Sequence, residues 1–379
     1  MRRLAVVFAV VLLIIQPRAA NAPGGLIGLL GVRVGPTAAP VATLTPQRSP
    51  TPAPSPTPRP LKLPAVTLAS VFAAHPPSLT GLDKSKLITI MATGDVIPAR
   101  MVNWEMVQRN DFTYPFLQTY KYTRSADLTL INLESPLIPG CQPTQTGMTF
   151  CGDPRAVQGL KFAGVDVANL ENNHIGNYGQ EGIDDTESLL AANGIAWDGF
   201  GHTVYKTLKG VRFAFLGFCA VEEEVDTSEM VREIKDARKH ADVVIVSMHW
   251  GLEYNSLPQV APGVANQDPR VLAHLAVDAG ADVIVGNHPH VVQGIEIYKG
   301  KYISYASGNF VFDQLLLGNE DTQQGVVGTY TFYGARLVSV RYRPVQIDDF
   351  AQPHFISAKA GAVVLQRMLD SSLQIKKGY

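Results

Sequence analysis

Neither charge dominates this chain. Its 379 residues carry 32 Lys and Arg against 33 Asp and Glu, for a net charge of -1, and neither sign forms a long block. A nucleic-acid footprint and a charged tail are both excluded as organising features. Cysteine is scarce, and the three present make no C-x-x-C spacing, which excludes a thiolate zinc site. Past residue 63 no apolar run is long enough to span a bilayer. What is there in quantity is core-forming material: 46% of the residues are hydrophobic, enough for one large domain or two ordinary ones.

The amino-terminal sequence carries a compartment signal. Arg2 and Arg3, the uncharged residues 4–15 and the triplet Ala20-Asn21-Ala22 make a secretory signal with an A-x-A end, or an uncleaved anchor continued by apolar residues 25–32. No Cys follows the run, so a lipoprotein anchor is unsupported. Residues 36–64 are rich in Pro, Ser and Thr, with almost no large apolar residue before Leu61. That composition buries no core and reads as an extended tether. The chain thus divides into a signal or anchor (1–22), a Pro-rich linker (23–83), a globular domain (84–345) and a C-terminal extension packed on it (346–379). The expected place is extracellular or in the cell envelope, secreted or tethered. An oxidising compartment favours a disulfide between Cys141 and Cys151, which flank a short loop. Cys219, inside the apolar stretch 211–219, reads as an unpaired core residue.

From Leu87 onward short β-rich runs alternate with helical stretches, the pattern of an α/β domain. Strands read at 87–93, 128–132, 165–170, 211–218, 241–248 and 282–286. Helices read at 116–122, 155–163, 180–193, 230–240 and 269–279. Residues 195–197, 204–208 and 211–218 open the other half of the sheet system. A hairpin over 325–332 and 335–343 extends the second sheet, and a short helix over 361–369 closes the chain.

Five of these strands end in polar residues of ligand type: Asp95, Glu134, Asn173 with His174, His249, and His288 with His290. Strand carboxyl ends lie along one edge of a parallel sheet, so side chains far apart in sequence can converge there. Pro289 stiffens the turn between the last two histidines. Oxygen and imidazole donors without thiolate suit zinc, manganese or iron, and two metals bridged by a carboxylate is an arrangement of phosphoryl-transfer hydrolases. His75, His202, His240, His274 and His354 fall outside the pattern and read as ordinary structural or surface histidines.

Thr93–Val96, Asn132–Leu137 (NLESPL), Asn172–His174 (NNH), His249–Tyr254 (HWGLEY), Asn287–Gly294 (NHPHVVQG) and Ser307–Gln314 (SGNFVFDQ) together resemble the CapA or PgsA type of poly-γ-glutamate capsule synthesis proteins, within the calcineurin-like metallophosphatase superfamily. The resemblance implies a four-layer α/β/β/α metallophosphatase-like sandwich. It implies one or two divalent transition metals, with Glu134 as the bridging carboxylate, Asp95 and His290 at one site, and Asn173, His249 and His288 at the other. It places His174 as the general acid and puts Glu253, Arg100 and Asn309 in supporting or substrate-contact positions, with Asp313 and Gln314 also matching. The implied role is making or exporting an extracellular poly-γ-glutamate-type capsule, with metal-dependent hydrolysis or transfer at a phosphoryl or amide bond as the implied chemistry. Anionic polymer or a phosphorylated substrate and membrane synthase subunits are the implied partners. A non-catalytic accessory subunit and a secreted phosphoesterase unrelated to capsule are the alternatives. Two departures stand out: Ile97 occupies the place of the histidine in Asp-x-His, and Asn177 stands where an acid often follows NNH.

Overall fold

The computed structural model describes residues 35, 61–75, 77–314 and 320–378; the signal or anchor of residues 1–22 and most of the Pro-rich linker lie outside them. A short helix, α1 (Leu68–Val71), is closed by a capping box between Thr67 and Ser70. It lays Leu68, Val71 and Phe72 against the core between two sheets, within the compact unit that begins at Leu61.

The next strand shows how the layers arise. β1 (Leu87–Val96) turns Ile88, Ile90 and Ala92 toward the second sheet and Met91 toward helices, the period of two that extended backbone imposes. An irregularity between Ala92 and Asp95 shifts the register so that Val96 also faces the helices. Strands buried on both faces in this way read as continuous apolar runs. α2 (Arg100–Arg109), α3 (Tyr120–Thr123), β2 (Leu128–Leu133), α4 (Val157–Ala163), β3 (Val167–Asn169), α5 (Gly179–Ala192) and β4 (Ala196–Asp198) follow. β1 to β4 pair in parallel, and α2, α4 and α5 cover their outer face.

The chain then builds a second sheet from β5 (Val204–Leu208), β6 (Val211–Cys219), β7 (Val243–His249), β8 (Val283–Asn287), β9 (Ile295–Tyr298) and β10 (Lys301–Ser304), in the order β5-β6-β7-β8-β10-β9. α6 (Thr227–His240) and α7 (Pro269–Ala279) cover it from outside. α6 is capped by Asp226, which accepts from Ser228 and Glu229 N–H groups, and α7 by Asp268 with Pro269 in the first turn, the expected chemistry of a helix start. β11 (Asn309–Val311) returns to β1, and β12 (Gln324–Tyr333), β13 (Arg336–Asp348) and β14 (Gln352–Phe355) complete the first sheet ahead of α8 (Ala358–Lys377). Helices, sheet, sheet, helices make the α/β/β/α sandwich expected. Among the described residues no helix is long and apolar enough to cross a membrane.

Three expectations need correction. The hairpin β12–β13 extends the first sheet, not the second: β12 runs antiparallel to β1, from Leu87 opposite Tyr333 to Ala92 opposite Gly328. Residues 195–197 likewise belong to the first sheet, as β4 beside β3. Strand identity is local, but the choice of sheet edge is made by contacts distant in sequence. The last helix is 20 residues long rather than nine, because Ser371 and Ser372 interrupt its apolar stripe while still facing inward, where their hydroxyls accept from the Gly294 and Ile295 N–H groups. α2 was not read as a helix at all, since its inward face includes the polar Asn103.

Candidate metal centre

On each central strand the face turned toward the opposite sheet changes character along its length. β2 runs Leu128, Leu130, Asn132 and then Glu134; β3 runs Val167, Asn169, Glu171; β7 runs Val243, Ile245, Ser247, His249; β8 runs Val283, Val285, Asn287. The amino-terminal halves fill the inter-sheet core, and the carboxyl-terminal halves line a buried polar cluster. Gly94 permits the close approach that places Asp95: a Cβ there would stand 2.1 Å from the Gly308 carbonyl oxygen, and the Asp95 N–H donates to that oxygen at 3.0 Å. After β8 the chain enters left-handed backbone at His288 (φ 95°) and His290 (φ 56°). Non-glycine residues there cost about 1–3 kcal/mol each, and such strain gathers at functional sites.

The polar ends converge. Asp95, Glu134, His249, His288 and His290 are almost fully buried. Glu134 Oε1 lies 3.7 Å from His249 Nε2 and 3.9 Å from His290 Nε2. His290 Nδ1 faces Asp95 Oδ2 at 3.3 Å and Asn309 Oδ1 at 2.9 Å. His249 Nε2 is 2.9 Å from Asn173 Oδ1. Asp95, Glu134 and His249 form one group able to hold a cation, and Glu134, His288 and His290 a second. Glu134 is common to both, as a bridging carboxylate requires. The resemblance sets Asp95 beside His290, and the 3.3 Å contact brings the two together; Asp95 is also grouped with His249, which the resemblance assigns to the other site.

Burial and like charge hold the Glu134 carboxyl well above its ordinary range, with Asp95 and Glu253 as the neighbouring carboxylates. Burial, then neighbouring imidazoles, push His249 and His288 well below the ordinary histidine value, so both rings are neutral Lewis bases. Burial pulls His290 down most strongly of any one cause, but the hydrogen bond and charge of Asp95, with Glu253 and Asn309 adding to them, together outweigh it and raise it. Glu134 Oε1 and both ring nitrogens of His288 have no hydrogen-bond partner. Orphaned buried polar atoms of this kind are costly, and a carboxylate with neutral imidazoles is a ligand set that a divalent transition cation satisfies. The residues present therefore fit a metal.

The remaining expected residues surround this cluster. The His174 ring stacks on Phe150 at 4.0 Å, and its Nδ1 is 3.1 Å from Asn177 Oδ1, which also accepts from the Phe150 N–H. Burial lowers His174 to about 4, and the Asn177 contact holds its proton at Nδ1. Asn309 accepts from His290 Nδ1 and donates to the Thr322 carbonyl, so it orients a histidine. Arg100 pairs with Asp313 and donates from Nη1 to the Gly147 carbonyl. Glu253 Oε1 reaches within 3.9 Å of His290 Nε2, and Gln314 donates to the Tyr254 hydroxyl. Cys141 and Cys151 are joined, closing the loop that carries Gly147 and Phe150. Cys219 is a free, partly buried thiol. His202 packs tilted against Trp197 and His274 stacks on Tyr298, both outside the cluster.

Sequence reasoning missed Asn132. Its amide nitrogen lies 2.9 Å from Asp95 Oδ1 and 3.1 Å from Glu134 Oε2, and its Oδ1 accepts from Asn169 and Asn172. Such partners hold ligating carboxylates in place and tune them. The signal was present: on the period-two face of β2, Asn132 follows the apolar Leu128 and Leu130 and stands two residues before Glu134.

A family model described as bacterial capsule synthesis protein PGA_cap matches residues 89–314. Capsule biosynthesis protein CapA of Bacillus anthracis is 33% identical over 261 residues, covering 61% of this chain and 61% of that protein. PGA biosynthesis protein CapA of Bacillus subtilis is 32% identical over 245 residues, covering 58% and 62%. A probable polyglutamine synthesis accessory protein of Mycobacterium tuberculosis is 27% identical over 265 residues, covering 61% and 68%. The chain spans about three-fifths of the length of the two CapA relatives. Among solved structures, a putative 5'-nucleotidase from Staphylococcus aureus aligns over 74% of this chain and 58% of its own, at 14% identity and a TM-score of 0.40. Similarity at that level bears on none of the chemistry.

Proposed function

Since residues 89–314 make up more than half of the chain, the protein belongs to the PGA_cap family of bacterial capsule synthesis proteins, and from that premise we propose that it takes part in making or exporting an extracellular poly-γ-glutamate-type polymer through metal-dependent hydrolysis or transfer at a phosphoryl or amide bond. Export behind the N-terminal signal or anchor, and work beside membrane synthase subunits, belong to the same proposal. The observation that carries the chemistry is the buried, partnerless Glu134 Oε1 beside the partnerless His288 ring.

When bound, a divalent cation supplies Lewis-acid charge neutralisation and makes water nucleophilic at neutral pH. His249, His288 and His290, with Asp95, Glu134 and Asn173, would hold it. Asn132 fixes both carboxylates. Hydrolysis adds water across the bond, oxygen to phosphorus or carbonyl carbon and proton to the departing oxygen or nitrogen. Neutral at pH 7 with its own proton at Nδ1, His174 presents a bare Nε2 that can take a proton from the attacking water and return it to the departing atom. Asn177 keeps its Nδ1 protonated and leaves Nε2 for a partner in the cleft.

Elemental analysis of the full chain beside Glu134→Ala and His288→Ala tests the reading. Bound transition metal in the wild type, lost in both variants, is expected. Carefully handled wild type without metal at neutral pH overturns the catalytic reading. A second reading, a non-catalytic accessory subunit, draws support from Ile97, which leaves the first strand end without a histidine. Metal-loaded wild type inert toward phosphoesters and γ-glutamyl amides would favour it.

A further inference from the structure

Two cavities flank the candidate metal ligands. One, about 250 Å³, lies against His290; the other, about 290 Å³, lies against Asn173 and His288. Met148, His174 and Glu253 line both, so the ligand cluster stands at the junction of a single cleft with two arms. The shared wall is covalently pinned, because Met148 belongs to the loop closed by Cys141 and Cys151.

The chemistry of the arms is specific. The first presents Phe150, Tyr254, Phe312 and Gln314, ring faces and an amide. The second presents Val221, Leu252, Ala261 and Val264. Among the described residues Arg100 is the one Lys or Arg lining either arm, and its charge is already engaged. Its guanidinium carbon sits 4.9 Å from the Phe150 ring centre and 4.8 Å from that of Phe312, and it is paired with Asp313. The other Asp and Glu residues lining the arms are Asp313, whose charge is taken up by Arg100, Glu253 at the junction and Glu222 in the second arm. A substrate carboxylate in either arm would meet like charge and lose water without gaining a cation.

We propose that the cleft takes an extended, chain-like substrate at an internal bond, with its polarised or anionic centre at the metal ligands and uncharged groups in both arms. The proposal rests on the metal-centre reading and narrows it. The substrate class is a phosphodiester- or amide-linked chain whose neighbouring units are neutral. A finished polymer bearing a free carboxylate on every unit is disfavoured, since its flanking charges would fall beside Glu222 and Glu253.

The test uses the full chain loaded with manganese and calorimetric titration of three probes. These are inorganic phosphate, an N-acetylated γ-linked glutamyl tetramer, and the same tetramer with every carboxylate converted to carboxamide. The carboxamide tetramer is expected to bind roughly tenfold tighter than the carboxylate tetramer. Glu222→Gln is expected to narrow that gap. Val264→Trp, at an exposed position, fills the second arm and is expected to weaken the carboxamide tetramer several-fold more than phosphate. Equal or tighter binding of the carboxylate tetramer, phosphate binding without either tetramer, or a Val264→Trp variant with no selective effect overturns the inference and leaves the metal-centre reading intact. Failure of the chain to take up manganese overturns both.

Discussion

The two ends of the parallel strands use acidic residues in opposite ways. At the amino ends, an Asp stands immediately before each of four strands and accepts from a backbone N–H of the neighbouring strand: Asp127 from Thr89, Asp166 from Thr129, Asp242 from Arg212 and Asp282 from Val244. Asp127 also holds Lys209, and Asp282 holds both Arg238 and Lys301. At the carboxyl ends Asp95, Glu134, Glu171 and Asp198 are gathered in the interior, burial and neighbouring acids raise Glu134, Glu171 and Asp198, and oxygens of Glu134 and Asp198 are left unpartnered. The contrast separates acids that build the fold from acids that the fold tolerates for chemistry. Native proteins satisfy buried polar groups almost everywhere, so a cluster left unsatisfied at one edge is where stability has been given up for function.

The sharpest way to break this comparison is to remove one acid from each end. Glu134→Gln should abolish metal binding, exceeding the roughly 10–100-fold loss typical of an outer partner, while the metal-free variant melts at or above the temperature of the metal-free wild type. Elemental analysis and thermal melts in chelator read the two effects. A metal-free variant that unfolds more easily than wild type would make Glu134 a structural acid like those at the opposite end.

Much of the carboxyl edge was legible because a ligand interrupts an apolar run abruptly: Asp95 after LITIMATG, His249 after VVIVSM, His288 after VIVGN. Asn132 and Asp198 escaped because each sits inside or at the end of a strand, where only the period-two face reveals that a polar group points into the space between sheets. The amino-end acids were equally available and equally missed. Ala126-Asp127-Leu128, Val165-Asp166-Val167, Ala241-Asp242-Val243 and Ala281-Asp282-Val283 repeat one pattern, yet an isolated Asp before a strand looks like an ordinary turn residue. The order of strands was beyond local reading, and the placement of β12 depends on pairing across more than two hundred residues.

Asp282→Ala carries the next largest effect. It frees the Val244 N–H and strands Arg238 and Lys301, and a loss of about 2–3 kcal/mol in denaturant unfolding is expected, with metal content unchanged. Metal loss in a folded Asp282→Ala protein would erase the distinction between the two ends. Asp198→Asn should do the reverse. Both carboxylate oxygens of Asp198 are buried without partners, and burial followed by the Glu171 carboxylate raises it well above the ordinary range. The neutral amide should gain about 1–2 kcal/mol at neutral pH, and a loss instead would reveal a cation or proton that Asp198 holds.

The smallest effect, and the one that sharpens the contrast most, is in pH dependence. Burial pushes the Asp127 carboxyl up, but Lys209 and the Thr89 N–H and hydroxyl outweigh it, so its folded value lies below the ordinary one. Its contribution to stability is therefore fully present above the unfolded value of about 3.9 and is lost as pH falls through the depressed folded value. Asp198 has the opposite sign: its contribution is present below about 3.9 and is lost as pH rises toward its raised folded value. Asp127→Asn should flatten the acid limb of a stability curve by less than about 1 kcal/mol, because Asp127 is largely exposed to solvent and screened. Asp198→Asn should leave that limb unchanged and lift the curve from about pH 4 upward. Urea unfolding of both variants across the acid range, in chelator, measures the two slopes. If both substitutions change the same limb in the same direction, the acids at the two strand ends are not used differently, and the assignment of the carboxyl edge to chemistry loses its electrostatic basis.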